Sequence, residues 1–293
     1  MSRVVVERAG LLESAHRVHV AVVDSEGRLS ASVGDAERIV FHRSAAKPFQ
    51  AVPLVDDKVA ERFTLTTEEL ALCCASHSGE PEHEALARSI LSKAGLDESD
   101  LECGPHLPLD RAAAEALLRA GGSPSAIHNN CSGKHAGMLA LAVAHGWPTR
   151  GYIRRDHPVQ VRMVAEMCRW TKLQEDGIGL GQDGCGVVSF ATPLARLAGG
   201  FARLGGADGP PQADRVGHVR SSVLGRRDWT IRNRPRPRGG RASLREDGGG
   251  GCVCGGRYRR KLWDGGQGGG RRKAGDSGGG SARARPIGSA RWN

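Results

Sequence analysis

Sustained apolar patterning stops near residue 215, and that break limits how much of this 293-residue chain can build a core. Residues 216–293 hold 20 of the 42 glycines and carry 19 Lys and Arg against 5 Asp and Glu, with glycine runs at 248–251 and 278–280. Such a segment cannot bury enough apolar surface to offset its ordering entropy, so it is predicted to be a disordered Gly/Arg-rich tail. Residues 1–215 carry 23 basic against 27 acidic side chains, so the net charge of +10 belongs to the tail and not to the predicted folded part.

Within residues 1–215, strand-like and helix-like stretches alternate without an internal repeat, which predicts an α/β or α+β fold. Val4 to Glu7 is β-rich, and the run around Val20 to Val23 passes through Ser25-Glu26-Gly27-Arg28 into Leu29 to Val33 as a hairpin. Thr66 with Glu69 three residues on is a capping box that opens a helix through Cys74. Pro81-Glu82 opens another that Gly95 stops; further helices are expected at 111–120, at 134–145 before Gly146, and from Asp156-His157-Pro158 to about Thr171. Thr192-Pro193 is expected to start a last helix toward Leu204. The eight cysteines lack the density and spacing of a secreted disulfide scaffold. No stretch reaches the ~18 apolar residues of a membrane span, and the N-terminus runs straight into a strand without a signal peptide, so a reducing cytoplasm is expected.

Ser44-Ala45-Ala46-Lys47 carries the sharpest chemical signal. Serine and lysine three apart at the start of a helix share a face, so the amine can reach the hydroxyl. A serine hydroxyl is a poor nucleophile at neutral pH and needs an unprotonated base. Lysine fills that role only when burial or cationic neighbours bring its pKa from ~10.4 to about 7–8, roughly 3–5 kcal/mol of perturbation. The bland alternative is a serine N-cap before a surface lysine. The apolar run Pro48-Phe49-Gln50-Ala51-Val52-Pro53-Leu54 argues for a buried element that carries Lys47 inward.

Three more constellations stand out. Ser76-His77-Ser78-Gly79-Glu80 falls in a loop at a helix end, where Ser76 and His77 could supply a hydroxyl, a donor or a base, or only turn chemistry. Asn129-Asn130-Cys131-Ser132-Gly133-Lys134-His135 precedes a helix but is not a P-loop, because His128 stands where the first glycine is required. Asp183-Gly184-Cys185-Gly186 makes a tight turn that aims a thiol. Cys131 and Cys185 lack C-x-x-C spacing, so on spacing alone buried free cysteines are favoured over a zinc site.

Read together with Arg43, and with Ala136-Gly137-Met138 after the third motif, these four motifs in order resemble the rhizobial-type (class 3) L-asparaginases of the asparaginase II family, over residues 1–215. The resemblance implies a fold similar to serine β-lactamases and penicillin-binding proteins, a homodimer, and hydrolysis of L-asparagine to aspartate and ammonia. It implies Ser44 as nucleophile with Lys47 as its base, and Ser76 in a second Ser-Lys pair. It implies zinc on Cys131, Lys134 and Cys185, with Asp183 beside that set and Arg43 and His135 near the zwitterionic substrate.

Family sequence then stops: the later G-x-x-R-x-x-T, K-x-G-A-E-G and G-x-x-x-K-x-x-D-G segments are missing. A reading-frame slip near Arg215 accounts for this. Arg227 to Asn233 can be coded CGG GAC TGG ACG ATT CGA AAC, and with a C following, the same bases read one nucleotide later give GTGRFET. The same offset permits AGRLCAKTGAEG from residues 240–251 and GTGENYGMAVKVAD from residues 257–270. Glu246-Asp247 then occupy the codons of the second pair's lysine, so this polypeptide is expected to be an impaired enzyme. Two other readings are a β-lactamase-like or glutaminase-type Ser-Lys hydrolase and nucleic-acid binding through the tail around residues 232–241. The slipped frame makes that basic character accidental, so no physiological nucleic acid and no membrane partner are expected.

Overall fold

The computed structural model describes residues 3–206; the predicted tail at 216–293 lies outside the described residues. The fold is α+β, with three small antiparallel sheets and eight α-helices among the described residues. β1 (Arg3–Arg8) pairs with β2 (Leu11–Arg17), and β3 (Val20–Val23) pairs with β4 (Leu29–Val33) as the expected hairpin. The third sheet has the order β5 (Ile39–Phe41), β7 (Val188–Pro193), β6 (Gly179–Gln182). No helix among the described residues is long and apolar enough to cross a membrane.

The helices are α1 (Lys47–Asp56), α2 (Val59–Arg62), α3 (Thr67–Cys74), α4 (Pro81–Lys93), α5 (Arg111–Arg119), α6 (Ser132–His145), α7 (Pro158–Thr171) and α8 (Leu194–Gly206). Their starts follow local chemistry. The Thr66 side chain accepts from the Glu69 N–H while the Glu69 carboxylate accepts from the Thr66 N–H at 2.7 Å, satisfying two donors that a helix start leaves open. His157 caps α7 through its ring nitrogen, and Gly146 ends α6 in the left-handed conformation.

α6 is the central helix: its first eleven residues are all buried, and α1, α3, α4 and α7 pack around it. Gly133 lets α3 come close, since a Cβ there would lie 2.5 Å from Leu72 Cγ. That contact brings the C-terminal end of α3 against the N-terminal end of α6, where the His77 N–H donates to the Asn130 carbonyl at 3.2 Å. α1 is buried along nearly its whole length. Its Phe49 meets Phe201 edge-on at 4.7 Å between ring centroids, a pairing worth about 1 kcal/mol beyond the area buried.

Two expectations need correction. Thr192-Pro193 does not open a helix: both residues end β7, and the helix starts at Leu194. A Thr-Pro pair looks like a helix cap, but proline is also tolerated at a strand end where its missing N–H breaks no ladder. Ser44 does not sit on an α-helix either: it lies in a 3-10 turn over Arg43–Ala46, and α1 begins with Lys47.

Candidate active site

The turn that carries Ser44 is anchored to β7. The His42 N–H donates to the Phe190 carbonyl at 2.8 Å, and its carbonyl accepts the Ala45 N–H at 2.9 Å to close the turn. Its buried ring nitrogen Nε2 lies 2.8 Å from Thr192 Oγ1, and burial pushes the imidazole pKa down to about 4, so the ring is neutral. Arg43 then adopts a left-handed φ of +46°, a strained conformation for a residue with a side chain. The chain reverses there and leaves Ser44 exposed at the surface.

Lys47 is buried behind it, and its nearest hydroxyl is not Ser44. Lys47 Nζ donates to the Ala75 carbonyl at 2.9 Å and the Asn130 carbonyl at 3.3 Å, and lies 2.7 Å from Ser76 Oγ. Ser76 Oγ lies 2.6 Å from Ser44 Oγ. The three groups form a chain, Ser44 to Ser76 to Lys47, rather than the direct contact expected from i, i+3 spacing. Burial lowers the Lys47 pKa; the Cys131 thiolate opposes that shift and the Lys134 ammonium assists it.

The loops around the amine are held by two side chains from the motifs, His77 and Asn129, and by His106, which no motif marked. His77 Nδ1 accepts the Gly79 N–H, so its Nε2–H donates to Ser132 Oγ at 2.9 Å and ties the Ser76 loop to the start of α6. Burial pushes this imidazole down to about 3. His106 Nε2 accepts the Asn130 N–H at 2.9 Å, which fixes the peptide before the Asn130 carbonyl that faces Lys47. Asn129 donates to the Cys103 and Gly104 carbonyls and accepts the Cys131 N–H, setting the chain's entry into α6.

Cys131, Lys134 and Cys185, the set to which the resemblance gives zinc, lie near one another. Lys134 Nζ lies 3.1 Å from Cys185 Sγ, and Cys131 interacts electrostatically with both. Interaction with the Cys185 thiol pulls Cys131 below the ordinary thiol range, with the Lys47 and Lys134 charges helping. Burial works against the charge on Lys134, but the two thiols outweigh it and raise its pKa. No group of three His, Cys, Asp or Glu side chains among the described residues forms a metal cage. The converging set is instead two soft thiols and one amine, donors suited to zinc once the amine loses its proton.

The remaining expected residues divide. Asp183 is half-buried, and its negative charge acts on Lys134. Arg43 is exposed and makes no hydrogen bond or ion pair among the described residues. His135 is fully buried, with Nδ1 2.7 Å from Tyr152 Oη. Tyr152, unmarked in the sequence, accepts the Glu102 N–H at 2.9 Å, and its own hydrogen finds His135 Nδ1 as its acceptor among the described residues. Hydrogen-bond accounting therefore places the His135 proton on Nε2, which has no partner among the described residues.

The family model described as "Asparaginase_II: L-asparaginase II" matches residues 4–229. No curated protein matches the chain.

Proposed function

The chain belongs to the L-asparaginase II family, and from that premise we propose that its site hydrolyses L-asparagine to aspartate and ammonia through a serine acyl-enzyme. The observation that carries the mechanism is the hydroxyl–hydroxyl–amine chain, 2.6 Å from Ser44 to Ser76 and 2.7 Å from Ser76 to Lys47. A neutral Lys47 has two N–H groups, which the Ala75 and Asn130 carbonyls take, and its lone pair is left facing Ser76. Ser76 gives its hydrogen to Lys47 and receives that of Ser44. Ser44 Oγ then attacks the side-chain carbonyl carbon of asparagine.

The resulting Lys47 ammonium keeps both carbonyl contacts and returns its proton through Ser76 to the leaving nitrogen, so the C–N bond breaks as ammonia departs. Water is deprotonated along the same chain, cleaves the Ser44 ester and releases aspartate. His135 Nε2–H, orphaned in a buried position, is a donor for substrate oxygen, and Arg43 receives the substrate carboxylate. Cys131, Lys134 and Cys185 would hold zinc, which would supply positive charge to the site when bound. The same reading carries a serine β-lactamase-like fold, a homodimer and a cytoplasmic setting.

This polypeptide is an impaired member of the family by the same proposal, because its reading frame slips near Arg215. Two features support that. Lys47 is the amine that serves both hydroxyls among the described residues. The strands also expose apolar side chains that a complete sheet would cover: Val20, Val22 and Val33 lie 40–49% exposed, and Ile39 and Phe41 more than half exposed. The test compares ammonia release by the 293-residue chain, a frame-restored chain, and that chain with Lys47→Met, on asparagine, glutamine and a β-lactam. The frame-restored chain should prefer asparagine, the 293-residue chain should be weak, and Lys47→Met should lose about 10²–10⁴-fold, as for removal of a general base. Undiminished ammonia release by Lys47→Met refutes the mechanism. Resequencing the locus decides the frame.

A further inference from the structure

The described residues contain two Asp-Gly pairs, Asp176-Gly177 and Asp183-Gly184, and the fold treats their amides differently. Glycine after aspartate leaves the backbone nitrogen open to its neighbour's carboxyl, because no Cβ stands in the way. In the 3-10 turn Glu175–Gly177 the Gly177 N–H donates to the Gln174 carbonyl at 3.0 Å, so its hydrogen is already engaged elsewhere. In the turn between β6 and β7 the Gly184 N–H donates to Asp183 Oδ1 itself at 2.8 Å, its one partner among the described residues. That contact keeps the nitrogen beside the carboxyl carbon, as a near-attack arrangement requires. Gly184 is exposed, and open space lies where its Cβ would stand. The turn around it is pinned: the Asp183 N–H donates to the Val187 carbonyl and the Gly186 N–H to the Asp183 carbonyl, both at 2.9 Å.

We propose that Asp183-Gly184 is a site of spontaneous succinimide formation and isoaspartate conversion, which rebuilds the turn that aims Cys185. The Gly184 nitrogen attacks Asp183 Cγ; the N–C bond forms, one C–O bond breaks, and that oxygen leaves as water with the amide hydrogen and a proton from solvent. Water then opens the cyclic imide. Addition at the former side-chain carbonyl breaks the new N–C bond and restores aspartate. Addition at the former backbone carbonyl breaks the old peptide bond and leaves the chain running through the side chain. One water leaves and one returns, and nothing is oxidised or reduced. In the isoaspartate the main chain gains one carbon, and the carbonyl that accepted the Gly186 N–H becomes a free carboxylate branch. Gly186 has little room to take up the slack, since its φ is +90° and an added Cβ would lie 3.2 Å from Ile153 Cδ1. The extra length therefore shifts Cys185, whose Sγ lies 3.1 Å from Lys134 Nζ.

The test needs no substrate and no metal, so it stands or falls apart from the asparaginase reading. The full 293-residue chain is incubated at neutral pH, folded or in urea, and digested with trypsin. One peptide, residues 173–196, carries both Asp-Gly pairs and Cys185. Electron-transfer fragmentation, which tells isoaspartate from aspartate, should find the isomer at Asp183 at several times its level at Asp176 in the folded chain. Urea should erase that difference. Gly184→Ala, which has room for its Cβ, should cut conversion at Asp183 several-fold and leave Asp176 unchanged. Iodoacetamide applied before digestion should label Cys185 more fully in the isoaspartate form of the peptide than in the aspartate form. Conversion at Asp176 that matches Asp183 in the folded chain, a difference that persists in urea, an undiminished rate in Gly184→Ala, or equal Cys185 labelling in the two forms would each overturn the proposal. The wild-type map decides even where the variant fails to fold.

Discussion

Acidification should unfold this protein over a pH range in which surface carboxylates are silent. His42 and His77 are buried and neutral, with pKa values pushed from 6.5 to about 4 and about 3 by burial. For a base whose folded pKa lies below its unfolded value, the unfolded chain binds more protons at intermediate pH. Its stabilising contribution is therefore complete above about 6.5 and is lost as pH falls toward the folded value. Between pH 7 and pH 5 each of the two imidazoles costs about 2 kcal/mol, roughly 4 kcal/mol together. His135, pushed well below its ordinary value by burial and the nearby lysines, adds to the loss. The carboxylates with lowered pKa, such as Asp24 and Asp97, lose their contribution only below about 4 and stay outside this window.

Urea unfolding at pH 7, 6 and 5 and fixed ionic strength measures the slope directly. Replacing His42 by Gln, which keeps a donor for Thr192, should flatten the slope by roughly half of the two-histidine term while leaving stability near pH 5 closer to its pH 7 value. A wild-type midpoint that does not move between pH 7 and pH 5, or an unchanged slope in His42→Gln, would show that these rings are not buried neutral.

Gly79→Ala should lose about 1–2 kcal/mol from its φ of +73° alone, and more because the new Cβ would lie 2.9 Å from Pro108. A lowered urea midpoint and slowed modification of Ser76 by a serine-directed reagent report it. Thr66→Ala removes half of a capping box at the far end of α3 and should cost about 1 kcal/mol in the same denaturation assay.

Local rules recovered much of the helical framework, because Thr66 with Glu69, His157-Pro158 and Gly146 each meet a need created within one helical turn. The motif residues also assembled where the quoted segments meet, Ser76 beside Ser44 and Lys134 beside Cys185. What local rules missed depends on distant partners. Thr192 has the look of a cap, but its hydroxyl is claimed by His42, 150 residues earlier, and its backbone by Val40. The i, i+3 rule places Lys47 beside Ser44, but a carbonyl from the end of α3 and one from the start of α6 draw the amine toward Ser76 instead. His106 and Tyr152 are single polar residues in plain loops, and nothing in their neighbours' identities marks them. Only the fold reveals that one aligns the Asn130 peptide and the other sets a tautomer.

The missing side chain at Gly133 works as a spacing gauge. Leu72 fills the room that a methyl group would take, so two helix ends nearly sixty residues apart in the chain share one fixed separation. One end presents a hydroxyl and the other a carbonyl to the same amine, and thickening the crossing by one carbon would act as a shim driven between them. The reach of a proton from Ser44 to Lys47 is thus calibrated at a point that touches neither residue.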